Sequence, residues 1–221
     1  MNMLTSPLME SLPHVFHGFG MRSVAQSAGI VCPKQVHKDH IEVLTTPVVE
    51  GWHAEADAVL TCCSGMPVGV KTADCLPILM ADRGRRGVGA VHAGWKGVAL
   101  GILPKAIRRF TQAFGGTPDE ITLAVGPAIG ACCLEVDTPV KAFFHAHGEG
   151  DAWALFARPG QPGHWWLDLK AIVQQQALRA GVRQEHIDIL PYCTCCEGKL
   201  FYSYRREGLA AGRQVNYIVL K

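Results

Sequence analysis

No stretch of this sequence reaches the roughly 18 consecutive apolar residues that a bilayer-spanning helix needs. The start, Met1-Asn2-Met3-Leu4-Thr5-Ser6-Pro7, has neither a basic flank nor an apolar signal core. These absences point to a cytoplasmic protein with no membrane partner. Charge is also scarce, at 18% of residues, and neither sign forms a long block. With Lys+Arg 21 against Asp+Glu 19, bulk electrostatic attraction to nucleic acid is excluded as a default. Hydrophobic residues at 48% exclude an intrinsically disordered chain.

What is present in excess is cysteine. Nine is an odd number and too many for disulfides in a reducing compartment, so reduced thiols acting as small hydrophobes, metal ligands or nucleophiles fit better. A chain of 221 residues buries about 70% of its unfolded surface and needs no covalent staples. One domain over residues 1–221, present as a monomer, is the expectation.

The 24 glycines sit between short β-branched runs. Strands are predicted at Ile41 to Leu44, Ala58 to Cys62, Val68 to Val70, Leu76 to Met80 and Val88 to His92. A helix from about Val98 to Phe114 follows from the four-residue spacing of Val98, Ile102, Ala106, Phe110 and Phe114, with Pro104 either kinking it or marking a later start. Ile121 to Val125 is the next strand, and Asp168 caps a helix from Leu169 to Arg179 that Gly181 stops. His186 to Leu190 and Leu200 to Tyr204 have strand character, whereas Gly148 to Gly163 is a surface loop. The order of elements indicates an α/β or α+β protein with one joint core.

Two segments concentrate unusual chemistry, Lys71-Thr72-Ala73-Asp74-Cys75-Leu76-Pro77 and His92-Ala93-Gly94-Trp95-Lys96-Gly97. A hairpin turning at Ala81 to Gly87 would bring Cys75 close to His92, because that turn lies almost midway between them. The pair could be nucleophile and base, or two ligands of a zinc-type site. His37 is the best upstream candidate for a third ligand, leaving a fourth position open as in catalytic zinc centres. Asp74 is either a proton-transfer group beside them or a turn residue. Arg205 or Arg206 could hold phosphate, or both are surface charges. Cys193-Thr194-Cys195 has the wrong spacing for a redox pair. Core packing suffices for Cys62-Cys63 and Cys132-Cys133.

The strings Thr72-Ala73-Asp74-Cys75-Leu76-Pro77, Val91-His92-Ala93-Gly94-Trp95-Lys96-Gly97, Gly126-Pro127-Ala128-Ile129-Gly130 with Cys132-Cys133-Leu134-Glu135-Val136, and Leu200-Phe201-Tyr202-Ser203-Tyr204-Arg205-Arg206 together resemble the multicopper polyphenol oxidase (laccase-domain) family. Gln35-Val36-His37 and Trp166-Leu167-Asp168-Leu169 extend the resemblance, which runs from Pro33 to Arg213. Copper oxidation requires histidine-rich clusters, and the one H-x-H pattern is His145-Ala146-His147 in a helix-like segment. The resemblance implies instead the family's zinc-dependent purine nucleoside phosphorylase activity on adenosine, inosine, guanosine and methylthioadenosine, with hydrolytic deamination of adenosine. It also implies mixed β-sheets stacked with α-helices in a single compact domain.

His37, Cys75 and His92 align with the family's zinc ligands, one zinc per chain being expected. Asp74, Cys75 and His92 are then the catalytic candidates, and Arg22, Lys96, Arg205 and Arg206 the candidates for nucleoside and phosphate. Two departures stand out. The stretch between Arg22 and Gln35 is shorter than is usual in the family, and Lys96 replaces an arginine, which loses a bidentate fork. Two other functions stay open: a Cys75–His92 amide or ester hydrolase acting on a cell-wall precursor, and a zinc-stabilised nucleoside-binding module without turnover.

Overall fold

Side chains of opposite parity along one strand enter different cores. In Leu76–Asp82, Ile78 and Met80 pack into one cluster while Leu79 and Ala81 pack into another, and every residue of the strand is buried. A strand covered on both faces reads as a continuous apolar run. The computed structural model, which describes residues 3–23, 29–48 and 52–221, shows what covers each face.

The central sheet has six strands in the order Ile187–Ile189, Ile121–Val125, Leu76–Asp82, Val88–Ala93, Ala58–Thr61 and Ile41–Leu44. Its outer pairs are parallel and its inner pairs antiparallel. Helices Ile102–Phe114 and Leu169–Arg179 cover one face through Ile102, Leu103, Phe110, Ile172 and Val173. On the other face lies a three-stranded antiparallel sheet, Val15–Gly18, Gln214–Leu220 and Val68–Thr72, which contributes Val68, Val70 and Ile218. A small third sheet joins Glu135–Asp137, His164–Leu167 and Ala157–Pro159. The chain is therefore a mixed α/β domain of stacked sheets and helices, as the sequence suggested.

Local chemistry explains the helix boundaries. The Asp168 carboxylate accepts the Ala171 N–H at 3.0 Å, and Gly181 turns the chain out of the helix at a φ of 96°. The helix expected from Val98 is two helices, Trp95–Ala99 and Ile102–Phe114, separated by Gly101 at a φ of 71°. Pro104 falls in the first turn of the second, where a missing N–H costs nothing.

Two expectations need correction. Gly148 to Gly163 is not a plain loop, because it contains the helix Gly150–Phe156 and the strand Ala157–Pro159 and leads into the strand His164–Leu167. Buried Trp153, with its ring 5.5 Å from Phe144 and 5.6 Å from Trp165, anchors the segment in spite of its glycines and prolines. Leu200 to Tyr204 forms no strand. Phe201 and Ser203 are buried, but Ser203 caps the helix Tyr204–Glu207, its Oγ accepting the Arg206 N–H at 3.2 Å. The alternation belongs to an extended segment lying on the core without a ladder partner. The shortened span between Arg22 and Gln35 falls partly outside the described residues.

This packing sets a scale for two substitutions. Phe110→Ala is expected to lower the unfolding free energy by about 3–5 kcal/mol, and Asp168→Ala by about 1 kcal/mol. Denaturant unfolding of the two variants checks this, and equal small losses would show that the long helix is not packed as described.

Candidate metal centre

The hairpin expected from the sequence is present. Leu76–Asp82 and Val88–Ala93 pair antiparallel with Pro77 opposite His92, so Cys75, one residue before its strand, lies beside the end of the other. Gly94 completes that corner. A Cβ on Gly94 would lie 3.2 Å from the Cys75 sulfur and 3.5 Å from the His37 ring, so glycine leaves more room at this corner. The ligand atoms of His37, Cys75 and His92 all lie within 4.8 Å of one another, and the two imidazole rings meet edge to face at 4.8 Å between centroids. His92 is buried, Cys75 partly exposed and His37 exposed, so the group opens to solvent on the His37 side.

The residue that arranges this group is Asp57, which the sequence reading did not single out. It is fully buried at the start of Ala58–Thr61. Its carboxylate accepts His37 N–H at 2.9 Å, Lys38 N–H at 2.8 Å and Val36 N–H at 3.3 Å, and meets His92 Nδ1 at 2.8 Å. The backbone oxygen of Asp57 also accepts the His92 N–H at 2.7 Å. One carboxylate thus holds two of the three ligands. It stabilises the left-handed backbone of His37, whose φ of 58° is uncommon for a residue with a side chain. It also fixes the His92 ring so that Nε2 remains for a ligand role. The available signal was an aspartate between Ala56 and Ala58 at the mouth of an apolar strand.

Charge is shared along the same line. Burial opposes ionisation of the Cys75 thiol, but hydrogen bonds with His37 and His92 outweigh it and bring its pKa down to about 6. Burial likewise works against protonating His92, yet the bonds to Asp57 and Cys75 raise it to about 9. Asp57 is penalised by burial and still titrates below the usual carboxylate range, because His92 and the backbone N–H groups of Lys38 and His37 bind its charged form. Two imidazoles and a thiolate that open to solvent on one side are a donor set suited to holding a borderline-soft metal ion.

The other candidates are placed differently. Asp74, at a φ of 91°, sends its carboxylate to the Thr194 hydroxyl at 2.7 Å and the Arg205 N–H at 2.6 Å. It therefore ties the residue before Cys75 to two distant loops. Arg205 donates to the carbonyls of Cys133 and Glu135, and Arg206 to those of Thr194, Cys195 and Phe201 and to the Glu207 carboxylate. Both residues are exposed, with their guanidinium groups engaged by these protein acceptors. Arg22 pairs with Glu207 and lies over the Tyr202 ring, while its Nε is buried with no acceptor among the described residues. Lys96 is exposed, two residues beyond Gly94, with its ammonium 5.4 Å from the Trp95 ring centroid.

Replacing Asp57 by Asn should weaken metal affinity about 10- to 100-fold, because an amide cannot accept from all four donors. Competition with a chromophoric chelator measures this, and unchanged affinity would show that Asp57 does not orient the ligands.

Among the curated relatives, purine nucleoside phosphorylase of Clostridium acetobutylicum is 37% identical over 169 residues, 76% of this chain and 68% of the relative. Adenosine deaminase RL5, from an unknown prokaryotic organism, is 34% identical over 200 residues, 87% of this chain and 75% of the relative. Among solved structures, the hypothetical protein YfiH of Bacillus licheniformis superposes with a TM-score of 0.85 at 25% identity, covering 96% of this chain and 95% of that one. The family model described as multi-copper polyphenol oxidoreductase laccase matches residues 19–221, and the chain belongs to that family.

Proposed function

We propose that the protein is a zinc-dependent purine nucleoside phosphorylase, acting on adenosine, inosine, guanosine and methylthioadenosine, with adenosine deaminase activity. The observation that carries this is the convergence of His37, Cys75 and His92 around an open side, in a chain whose relatives are named for these two reactions. His37, Cys75 and His92 would hold the zinc ion, which would supply Lewis acidity.

In phosphorolysis a phosphate oxygen bonds to the sugar C1′ as the glycosidic bond breaks, and the purine leaves with a proton, giving ribose 1-phosphate. In deamination, water adds to the carbon bearing the amine and ammonia leaves, giving inosine. The protein's part in both is positioning. Asp57 holds His37 and His92 in place, and Gly94 keeps the approach clear. Lys96 and Arg22 are the cations we assign to phosphate and nucleoside. The guanidinium groups of Arg205 and Arg206 donate to backbone carbonyls of Glu135 and Cys195, and the Arg205 backbone N–H donates to the Asp74 carboxylate. Asp74 is read as a positioning residue for Cys75.

A second reading has its own observation. Asp57, His92 and Cys75 form a line of orienting acid, base and thiol, the order found in Cys–His hydrolases. A metal-stripped protein that still cleaves esters or amides, and loses that activity on alkylation of Cys75, would establish this reading in place of the first.

Chromatography of reactions with the four nucleosides, each with and without phosphate, tests the main proposal. Release of the purine base should require phosphate, inosine and ammonia should form from adenosine without it, and a chelator should abolish both. Absence of phosphate-dependent base release from all four by zinc-loaded protein would defeat the phosphorylase assignment. Asp74→Asn should lower kcat about 100-fold through misplacement, with the shape of the pH–rate profile unchanged. Loss of one limb of that profile would show that Asp74 itself carries the proton.

A further inference from the structure

A second set of sulfur atoms converges where two loops meet. The parallel neighbours Ile121–Val125 and Ile187–Ile189 end on the same side of the sheet, so the chain segments that follow them run together. A bridge between Ala128 and Cys193, with Thr194 N–H on the Ala128 oxygen at 3.1 Å, joins the two segments. The first carries Cys132 and Cys133 in a turn closed by bonds from Cys133 and Leu134 N–H to the Gly130 oxygen. The second carries Cys193-Thr194-Cys195-Cys196, whose first and last residues have the C-x2-C spacing common among zinc ligands.

The sulfurs of Cys132, Cys133, Cys193 and Cys196 all lie within 4.8 Å of one another. Cys196 is 3.7 Å from Cys132 and 3.4 Å from Cys133. A tetrahedron with metal–sulfur bonds of about 2.3 Å has edges of about 3.8 Å, so these atoms stand close to tetrathiolate spacing. The Gly130 N–H donates to the Cys193 sulfur at 3.2 Å, as backbone donors around a metal thiolate do. A Cβ on Gly130 would lie 3.2 Å from the Cys132 sulfur, so glycine keeps the space beside the cluster uncrowded. Cys132 and Cys196 are exposed, which gives an ion a route in.

We propose that Cys132, Cys133, Cys193 and Cys196 bind a second zinc ion, as a closed four-thiolate structural site separate from the His37, Cys75 and His92 centre. A single disulfide would use two of the four thiols and leave the convergence of the other two unexplained. Four protein ligands leave no open position, so the site holds structure and does not react. On binding, the thiols lose their protons to solvent. The ion joins the two loops, and Thr194, inside the C-x2-C turn, donates to Asp74 next to Cys75. The site therefore braces the reactive centre from behind. Cys132-Cys133 lies in a turn with Cys133 packed against the core and Cys132 exposed, so core packing accounts for one residue of that pair and not for the other. Zinc content then exceeds the single ion the sequence suggested. This inference does not rest on the nucleoside reading, and its test uses no activity assay.

Full-length Cys75→Ala protein, with the first centre disabled, should retain about one equivalent of zinc. Its zinc-edge X-ray absorption should show four sulfurs at about 2.3 Å and no nitrogen shell. Adding Cys132→Ser and Cys196→Ser should remove this zinc while circular dichroism shows a folded chain. Should Cys75→Ala not fold, Cys132→Ser/Cys196→Ser in the otherwise natural chain should halve the zinc and leave a mixed sulfur and nitrogen shell. Zinc-free Cys75→Ala protein in which all eight remaining thiols titrate, a disulfide joining Cys133 to Cys196, or a nitrogen-containing shell in Cys75→Ala would each overturn the proposal.

Discussion

The site depends on one buried carboxylate. Asp57 accepts three successive backbone N–H groups from Val36, His37 and Lys38 and also the His92 imidazole. A buried charge is costly unless it is matched by donors, and here the matching donors belong to the ligand-bearing segments. The arrangement supports itself: without Asp57 the left-handed turn at His37 loses its stabilising partners, and without that turn the buried Asp57 carboxylate would keep only His92 of these partners. Such a unit gives two ligands a fixed geometry although His37 lies in an exposed loop.

The third candidate ligand, Cys75, is placed by the central antiparallel hairpin. Cys75 and His92 sit at the open end of one antiparallel hairpin whose strands are buried on both faces, so their spacing is set by the register of the central sheet. Asp74 and Thr194 link that end to the loop carrying Cys193 and Cys196. The centre is thus bounded by a rigid sheet end on one side and by cross-linked loops on the other, which is the support a reactive constellation needs to keep its geometry.

The sequence made the hairpin legible because Leu76 to Met80 and Val88 to His92 are apolar runs bracketing a short polar turn. It made Cys75 and His92 legible for the same reason, since register follows from turn position. Asp57 was not legible, because its role comes from tertiary contacts with a loop some twenty residues earlier and a strand thirty-five residues later. The strand expected at Leu200 to Tyr204 failed for a different reason. Phe201 and Ser203 do alternate with exposed neighbours, but burial alternates in any extended segment lying on a core, with or without a ladder. The cysteines at 193, 195 and 196 were legible as a cluster with a structural or opportunistic thiol role, but their meeting with Cys132 and Cys133 was not, because it comes from the parallel pairing of two strands far apart in the sequence.

The central claim is that Asp57 and the hairpin together create a three-ligand metal centre. Anomalous diffraction at the zinc absorption edge, from crystals of the zinc-loaded protein, tests it most directly. The account predicts an anomalous peak within bonding distance of His37, Cys75 and the His92 Nε2, with His92 Nδ1 still on Asp57. Full zinc loading with no peak among these three residues, or a peak that excludes Cys75, would contradict it.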